Sequence, residues 1–495
     1  MTQQNLDAPS LVRLADVERW TDSADVVVVG YGAAGASAAI DARCAGAETL
    51  VLERASGGGG ASAIAGGHLY LGGGTPVQSA CGFEDSADDM YRYLMALMSD
   101  PDAAKARAYC DDSVEHFNWL EGVGVPFERS YFPGKAPIQE GTECLIWTGN
   151  EKVWPFRDLA RPAPRGHKVA LAGIEAGSLL MKKLIGEAER LGVRTRCDTR
   201  AVALIVDEHG SVAGVRTRHF GETGDVRARR GVVLAAGGYI MNDAMFAREL
   251  AWMPRDLIKH GTNNDDGSGI LLGVSAGGQP KGLDRAFLTS PFYPPADMLK
   301  GIVVNAEGRR FVAEDSYHGR TAGFLVEQPR GIAYLVLDSE TFGYPPYKFF
   351  EQALIDGFET IEEMETRLEL PQGSLVETVA EYNRHAVKGE DPQFHKYREW
   401  LKPLDQPPYA AFDLSVGRAK FAGFSLGGLR TSVDSEVLTS AGTPVAGLYA
   451  AGACAWNIAQ DTRGYSSGTC LGQATYFGRR AGRHAATRAT EERSR

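Results

Sequence analysis

Apolar residues in this chain fall into short unbroken runs separated by glycine clusters, and these alternate with stretches of helical period. Asp25-Val26-Val27-Val28-Val29 is the first run, β-branched after its opening aspartate, the pattern of a strand buried on both faces. Residues 49–52, 231–234 and 447–450 repeat it. Two of these lead into glycine, at Ala236-Gly237-Gly238 and Gly452, and residues 49–52 end on Glu53. Residues 193–197, 201–207 and 212–220 read as further strands, with turns at 208–210 and 221–224. Helical spacing predicts helices over 33–45, 86–98, 102–121, 174–191, 270–276, 361–368, 374–387 and 471–488. Asp100-Pro101-Asp102 supplies the break after the second of them. A lead-in helix is expected over 11–20, and a hairpin over 303–311. Strands alternating with helices predict an α/β fold on a parallel sheet.

The periodicity fades in three places. Residues 57–67 are glycine-rich, which fits either a flexible linker or a backbone lying flat on a ligand. The small apolar side chains of 61–65 favour the ligand. Residues 122–166 become aromatic and Pro/Gly-rich, and so long an irregular stretch either serves a site or forms a surface excursion with its own cluster. Residues 277–295 collect Pro280, Pro291, Pro294 and Pro295, which marks a domain boundary, and the linker 403–408 is the expected return. The expectation is a domain of residues 1–280 and 404–495, interrupted by a smaller α+β domain of residues 281–403. At 495 residues the chain is long enough for such a division.

Composition narrows the partners. The chain is 44% hydrophobic and 23% charged with a formal net charge of −11, and no basic face suggests nucleic acid. No run of apolar residues is long enough to span a membrane. The first twenty residues lack the basic and apolar regions of a secretory signal. Seven scattered cysteines without a C-x-x-C or a metal-site spacing suit reduced thiols, so a soluble cytoplasmic protein without a metal is expected.

The first strand meets Gly30-Tyr31-Gly32-Ala33-Ala34-Gly35, a G-x-G-x-x-G. The first glycine permits the tight turn, the second lets a pyrophosphate approach the backbone, and the third allows close helix–strand packing. The helix that follows offers unpaired N–H groups to that phosphate. Glu53, at the end of the second strand, stands where a carboxylate takes ribose hydroxyls. A dinucleotide is therefore expected here, and this motif alone leaves NAD and FAD open. Four strand–glycine junctions are more than NAD usually needs, and an isoalloxazine ring gives the later ones something to line.

With these motifs in order, the chain resembles the FAD-dependent fumarate reductase/ketosteroid dehydrogenase superfamily over nearly its whole length. The resemblance rests on VVVVGYGAAG with Glu53, GGASAIAGG, GVVLAAGG, NDDGSG, NAEGRRFVAED and GLYAAGA. It implies a Rossmann-type FAD-binding domain interrupted by a smaller α+β substrate-capping domain. It also implies that FAD is held, non-covalently, by Gly30, Gly32, Ala33, Ala34, Gly35, Glu53, Arg54, Gly60, Ala61, Ser62, Ala65, Gly66 and Gly67. Val202, Ala236, Gly237, Gly238, Asp266, Gly452, Cys470 and Leu471 complete that set. Cys454 stands where related flavoproteins often carry an acidic residue, which leaves a ribityl contact open.

The branch is read from the C-terminal segment. The His of an H-T-M-G-G-type motif is missing from residues 423–428, and the Arg of an N-R-L-G-G-N-type motif is unmatched over 463–472. A dicarboxylate would lose partners worth about 1.5–3 kcal/mol per charge-assisted hydrogen bond. Tyr465-Ser466-Ser467 instead resembles the active-site segment of 3-ketosteroid Δ4-(5α)-dehydrogenases, with Tyr317 as a third member. That likeness implies that Tyr465 donates to a 3-keto oxygen, Ser467 takes the C4 proton and Tyr317 supports the serine. It further implies a small-molecule steroid substrate, hydride transfer from C5 to the flavin N5, and an external electron acceptor. Each residue also has a plainer reading: Tyr465 as a packed aromatic, Ser466 or Ser467 as a helix N-cap, Tyr317 as one tyrosine among 18. Arg309 and Arg310 read as hairpin-surface or interdomain ion pairs. A Δ1-dehydrogenase, a desaturase or ene-reductase of smaller cyclic ketones, and a flavin electron carrier without turnover remain the alternatives.

Overall fold

The β-branched runs pair side by side in the structure, a computed structural model that describes residues 8–136, 139–289, 296–344 and 353–489. Asp22–Val29 lies parallel to Thr49–Leu52 on one side and to the end of Glu222–Leu234 on the other. Pro444–Ala450 joins beyond Glu222–Leu234, and Arg194–Arg196 beyond Thr49–Leu52, both in parallel. Unbroken apolar strands need cover on both faces, and they have it. Val26, Val28, Val51 and Val233 point into one core, while Val27, Val29, Leu50 and Leu234 point into a second. Helices Ala33–Cys44 and Thr469–Thr487 cover the first face. They approach to backbone contact, since a Cβ on Gly478 or Gly482 would meet Ala34 O at 2.3 Å or Ala38 O at 2.0 Å. The first and last segments of the fold are thereby locked together above the sheet.

Among the described residues this sheet has nine strands, extended by the antiparallel meander Thr199–Val206, Val212–His219 and Glu222–Leu234. The last of these is longer than the expected 231–234. It belongs to the meander at its start and to the parallel sheet at its end, with an irregularity between Ala228 and Gly231. Arg229 at that irregularity pairs with Asp25 and Glu48, in a polar stretch to which the sequence reading gave no strand.

A separate four-stranded antiparallel sheet is built from Ile302–Asn305, Ala333–Leu337, Tyr409–Asp413 and Ala353–Phe358. Helices Ile361–Arg367 and Ser374–Ala386 pack on it around their own apolar cluster. Tyr409–Asp413 is an inner strand of this sheet, so the expected return at 404 comes too early. Of the boundary prolines, Pro291, Pro294 and Pro295 lie outside the described residues.

Three other expectations change. The lead-in segment is a two-residue strand, Val12–Arg13, against Ile205–Val206, followed by a 3-10 turn, Leu14–Asp16. An exposed sheet edge offers paired hydrogen bonds that a short isolated helix cannot match. Residues 102–121 form two helices, Ala103–Asp111 and Ser113–Gly122, divided at Asp112, whose carboxylate accepts from Tyr476 at 2.6 Å. The hairpin over 303–311 keeps its turn, with a single bridge of Val304 to Arg310, while Ile302–Asn305 pairs chiefly with Ala333–Leu337. Arg310 is buried on Glu314 and Asp391, at 2.8 and 2.9 Å, and Arg309 pairs with Glu377, so both serve the small-sheet unit. All seven cysteines are free. Among the described residues no helix is long and apolar enough to cross a membrane, and no cluster of His, Cys, Asp or Glu is placed to hold a metal ion.

Candidate active site

One cavity of about 660 Å³ runs along the carboxyl ends of the parallel strands, from Gly30 and Glu53 to Tyr317 and Tyr465. Its first end is built by the turn between Val29 and Ala33. Gly30 has a φ of +101°, and a Cβ there would lie 2.4 Å from Ala235 O; a Cβ on Gly35 would lie 2.0 Å from Gly30 O. These two glycines are dictated by protein packing. Gly32 is different: its φ is an ordinary −83°, and the nearest atom to an added Cβ is Ser62 Oγ at 3.5 Å. Neither backbone nor packing demands glycine there, but the cavity it borders does if a ligand lies against the backbone. The N–H of Ala33 donates to Ser62 Oγ at 3.2 Å, while those of Gly32 and Ala34 have no partner among the described residues. Glu53 is held by two backbone donors, Tyr31 N–H and Ala55 N–H, each at 2.8 Å. A helix N-terminus with free donors, a cleared backbone and an oriented carboxylate together fit a dinucleotide.

The other end is aromatic. Tyr465, Tyr317, Phe287 and Leu426 form a buried cluster with Phe424 packed against it. The Tyr465 ring lies 4.5 Å from Phe287 and 6.2 Å from Tyr317, centroid to centroid. Burial holds the Tyr465 phenol well above its usual pKa, with the neighbouring Cys470 thiol and Tyr317 adding to it, while the Cys470 N–H acts the other way. Tyr465 therefore keeps its proton at any physiological pH and lies in the segment that leads into helix Thr469–Thr487. Burial raises the Cys470 thiol to about 11. His318 follows Tyr317 and also lines the cavity; burial, then the charge of Lys135, pull its pKa to about 3, so it is neutral.

Ser466 and Ser467 part company. Ser466 is buried with its Oγ 3.0 Å from Tyr93 Oη, and its carbonyl accepts from the Thr469 side chain. Ser467 lines the cavity, its N–H donating to Thr148 O at 2.8 Å and its hydroxyl free of hydrogen bonds among the described residues. Neither side chain caps the closing helix, whose N-cap is Gly468.

Tyr317, Tyr465 and Ser467 thus share one cavity with Gly30, Gly32, Ala33, Ala34, Glu53, Arg54, Gly60, Ala61, Ser62, Ala65, Gly66 and Gly67. Ala236, Gly237, Gly238, Gly452, Cys470 and Leu471 also line it. Gly35, Val202 and Asp266 do not border it. Gly35 is consumed by helix–strand packing, and Ala201 stands at the wall in place of its neighbour Val202. Asp266 turns to Arg54, at 2.5 Å, and to Arg200, leaving Asp265 on the cavity. Cys454 donates to Gly237 O at 3.2 Å and leaves Ala453 on the wall. Sequence reasoning missed Phe287, Phe424 and His318: Phe287 sits in an ordinary apolar stretch, Phe424 lies in the 423–428 stretch that was read only for its missing His, and His318 directly follows Tyr317 in a polar run.

A 3-ketosteroid-Δ4-(5α)-dehydrogenase from Rhodococcus jostii RHA1, solved in complex with 4-androstene-3,17-dione, is 41% identical, with a TM-score of 0.90 over 96% of this chain and 99% of that one. The 3-oxo-5-alpha-steroid 4-dehydrogenase of Comamonas testosteroni is 30% identical over 88% of this chain and 94% of its own length. The vinyl phenol reductase of Lactiplantibacillus plantarum is 30% identical over 94% and 97%. The FAD binding domain family matches residues 25–469, so the chain belongs to that family and is an FAD-dependent oxidoreductase.

Proposed function

We propose that the chain desaturates 3-keto-5α-steroids, introducing the C4–C5 double bond. The observation that carries this reading is a phenol kept protonated by burial, Tyr465, on an aromatic wall beside the free hydroxyl of Ser467. A proton α to a ketone becomes removable when the developing enolate is hydrogen-bonded, and Tyr465 is the donor for the 3-keto oxygen. Ser467 takes the C4 proton. A lone serine is a weak base, and Tyr317 passes the proton on from it. FAD, when bound, supplies at its N5 the acceptor for the C5 hydrogen leaving as hydride. Phe287 and Phe424 suit a steroid body, which offers little polarity to read except at its ends. The unit on the small sheet, from Ile302 through Asp413, caps the substrate, and FAD is held without a covalent bond. An external acceptor takes the electrons onward.

Anaerobic 5α-androstane-3,17-dione is expected to bleach the flavin absorbance and yield the 4-ene-3-ketone. Failure of every saturated 3-ketosteroid to bleach it overturns the proposal. The second reading is a desaturase or ene-reductase acting at C1–C2 or on a smaller ring, favoured by the likeness to vinyl phenol reductase over nearly both chains. The position of the new double bond in a single product separates the two.

A further inference from the structure

The irregular stretch 122–166 contains a turn, Thr148-Gly149-Asn150, that touches both segments assigned to proton transfer without bordering the cavity. Thr148 O accepts the N–H of Ser467 at 2.8 Å. Asn150 N–H donates to Tyr93 Oη at 2.7 Å, and that hydroxyl is 3.0 Å from Ser466 Oγ. Asn150 Oδ1 accepts the N–H of Tyr317 at 2.9 Å. Gly149 makes room for this convergence, because a Cβ there would fall 2.2 Å from Ser466 Oγ and 2.5 Å from Tyr93 Oη. Three consecutive residues therefore hold the backbone of the proposed base and the backbone of its proposed partner.

Asn150 is fully buried, and its Nδ2 has no hydrogen-bond partner among the described residues. An unpaired buried donor is destabilising, and an apolar side chain of similar size would avoid it. Stability alone does not account for asparagine here; the acceptor it presents to Tyr317 does. We propose that Asn150 is a positioning residue that sets Tyr317 against Ser467, so that proton removal depends on a side chain that never meets the substrate. This rests on the roles proposed above for Tyr317 and Ser467.

The test compares Asn150→Leu, Asn150→Ala and Asn150→Asp with Ser467→Ala, each purified with its flavin. Flavin content, kcat and KM are measured with 5α-androstane-3,17-dione and with its 4,4-dideuterated form. In the Leu and Ala variants kcat is expected to fall roughly 10- to 100-fold, as for a misplaced reacting group, with flavin content and KM little changed and a larger isotope effect. Asn150→Asp, which keeps an Oδ acceptor, should recover most of the rate. Wild-type turnover in Asn150→Ala overturns the proposal. So does a loss carried by KM or flavin content with an unchanged isotope effect. If Ser467→Ala turns over normally, the functional reading itself fails; if it is dead while Asn150→Ala is unimpaired, the Asn150 proposal alone fails. Should the Leu and Ala variants not fold, Tyr93→Phe removes the hydroxyl that anchors Asn150 N–H, and a wild-type isotope effect there overturns the proposal.

Discussion

The hydroxyl of Tyr465 carries most of the chemistry assigned to this site, and it can be removed without emptying the wall. Tyr465→Phe keeps the ring against Phe287 and deletes the donor. Loss of one such donor typically costs about 2.7–4 kcal/mol of barrier, or roughly 10²–10³ in kcat. Flavin content should stay at the wild-type level, and stopped-flow reduction by a 5α-3-ketosteroid reads the loss directly. Unchanged reduction would instead indicate a flavin protein whose redox behaviour owes nothing to this phenol. The histidines make an opposite prediction. His318 titrates near 3 and His68, also on the wall, near 4, both lowered first by burial, so both are neutral from pH 5 to 8. An acid limb of kcat/KM in that range should therefore persist in His318→Gln; its disappearance would show that this imidazole gains a proton where burial forbids it. Tyr465 and Ser467 were legible because they stand in a recognisable segment. Phe287 was not, since Ala286–Thr289 has the composition of any buried strand and only packing puts its ring 4.5 Å from Tyr465.

At the scale of the element, the strand–turn–helix unit from Asp22–Val29 to Ala33–Cys44 was legible almost to the residue, because local sterics dictate it. What the motif could not say is that its glycines answer to different partners. Gly35 answers to Gly30 O, and Gly35→Ala should destabilise the fold by about 1–3 kcal/mol through overpacking. Gly32 answers to the ligand, and Gly32→Val should leave the melting of the flavin-free protein near wild type while flavin per chain falls sharply. Absorbance ratio and thermal melts on both variants check the pair; full flavin occupancy in Gly32→Val would sink the assignment. Elements whose form depends on a distant partner were illegible. Residues 11–20 are not helical because an open strand edge lies beside them, and 102–121 breaks because Asp112 is needed by Tyr476. That Asp266 turns from the cavity was illegible for the same reason: its ion pair with Arg54 spans more than 200 residues.

Across the whole molecule, one demanding interaction is a buried ammonium that motif reading passed over. Lys105, from helix Ala103–Asp111, is buried, and no carboxylate pairs with it among the described residues. Its ammonium donates to Thr431 Oγ1 at 2.7 Å, Trp456 O at 2.8 Å and Asn457 Oδ1 at 3.1 Å, tying the helical layer to the segment that follows the last glycine junction. Burial lowers its pKa from 10.5 to about 7, with Asp102 opposing that shift. Below pH 7 the side chain is charged in folded and unfolded chain alike, and the folded state bears the full desolvation penalty. Between about 7 and 10.5 the unfolded chain binds the extra proton, so folding stability rises with pH, by at most about 1.4 kcal/mol per pH unit. Unfolded-state thiols begin to ionise near pH 8.5 and pull the other way, because burial raises Cys110 and Cys144 to about 12 and well above their usual value. The window to watch is therefore pH 7 to 8.5. Lys105→Met keeps the stem and removes the titration, and both proteins carry the same thiols. The difference in unfolding midpoint between wild type and Lys105→Met should therefore move in favour of the wild type as pH rises through that window. The three acceptors left without a donor lower the variant's midpoint by a constant amount and do not affect the slope. A difference that stays flat would mean that Lys105 keeps the same charge across the window, and that its three neutral acceptors solvate the ammonium as well as water does.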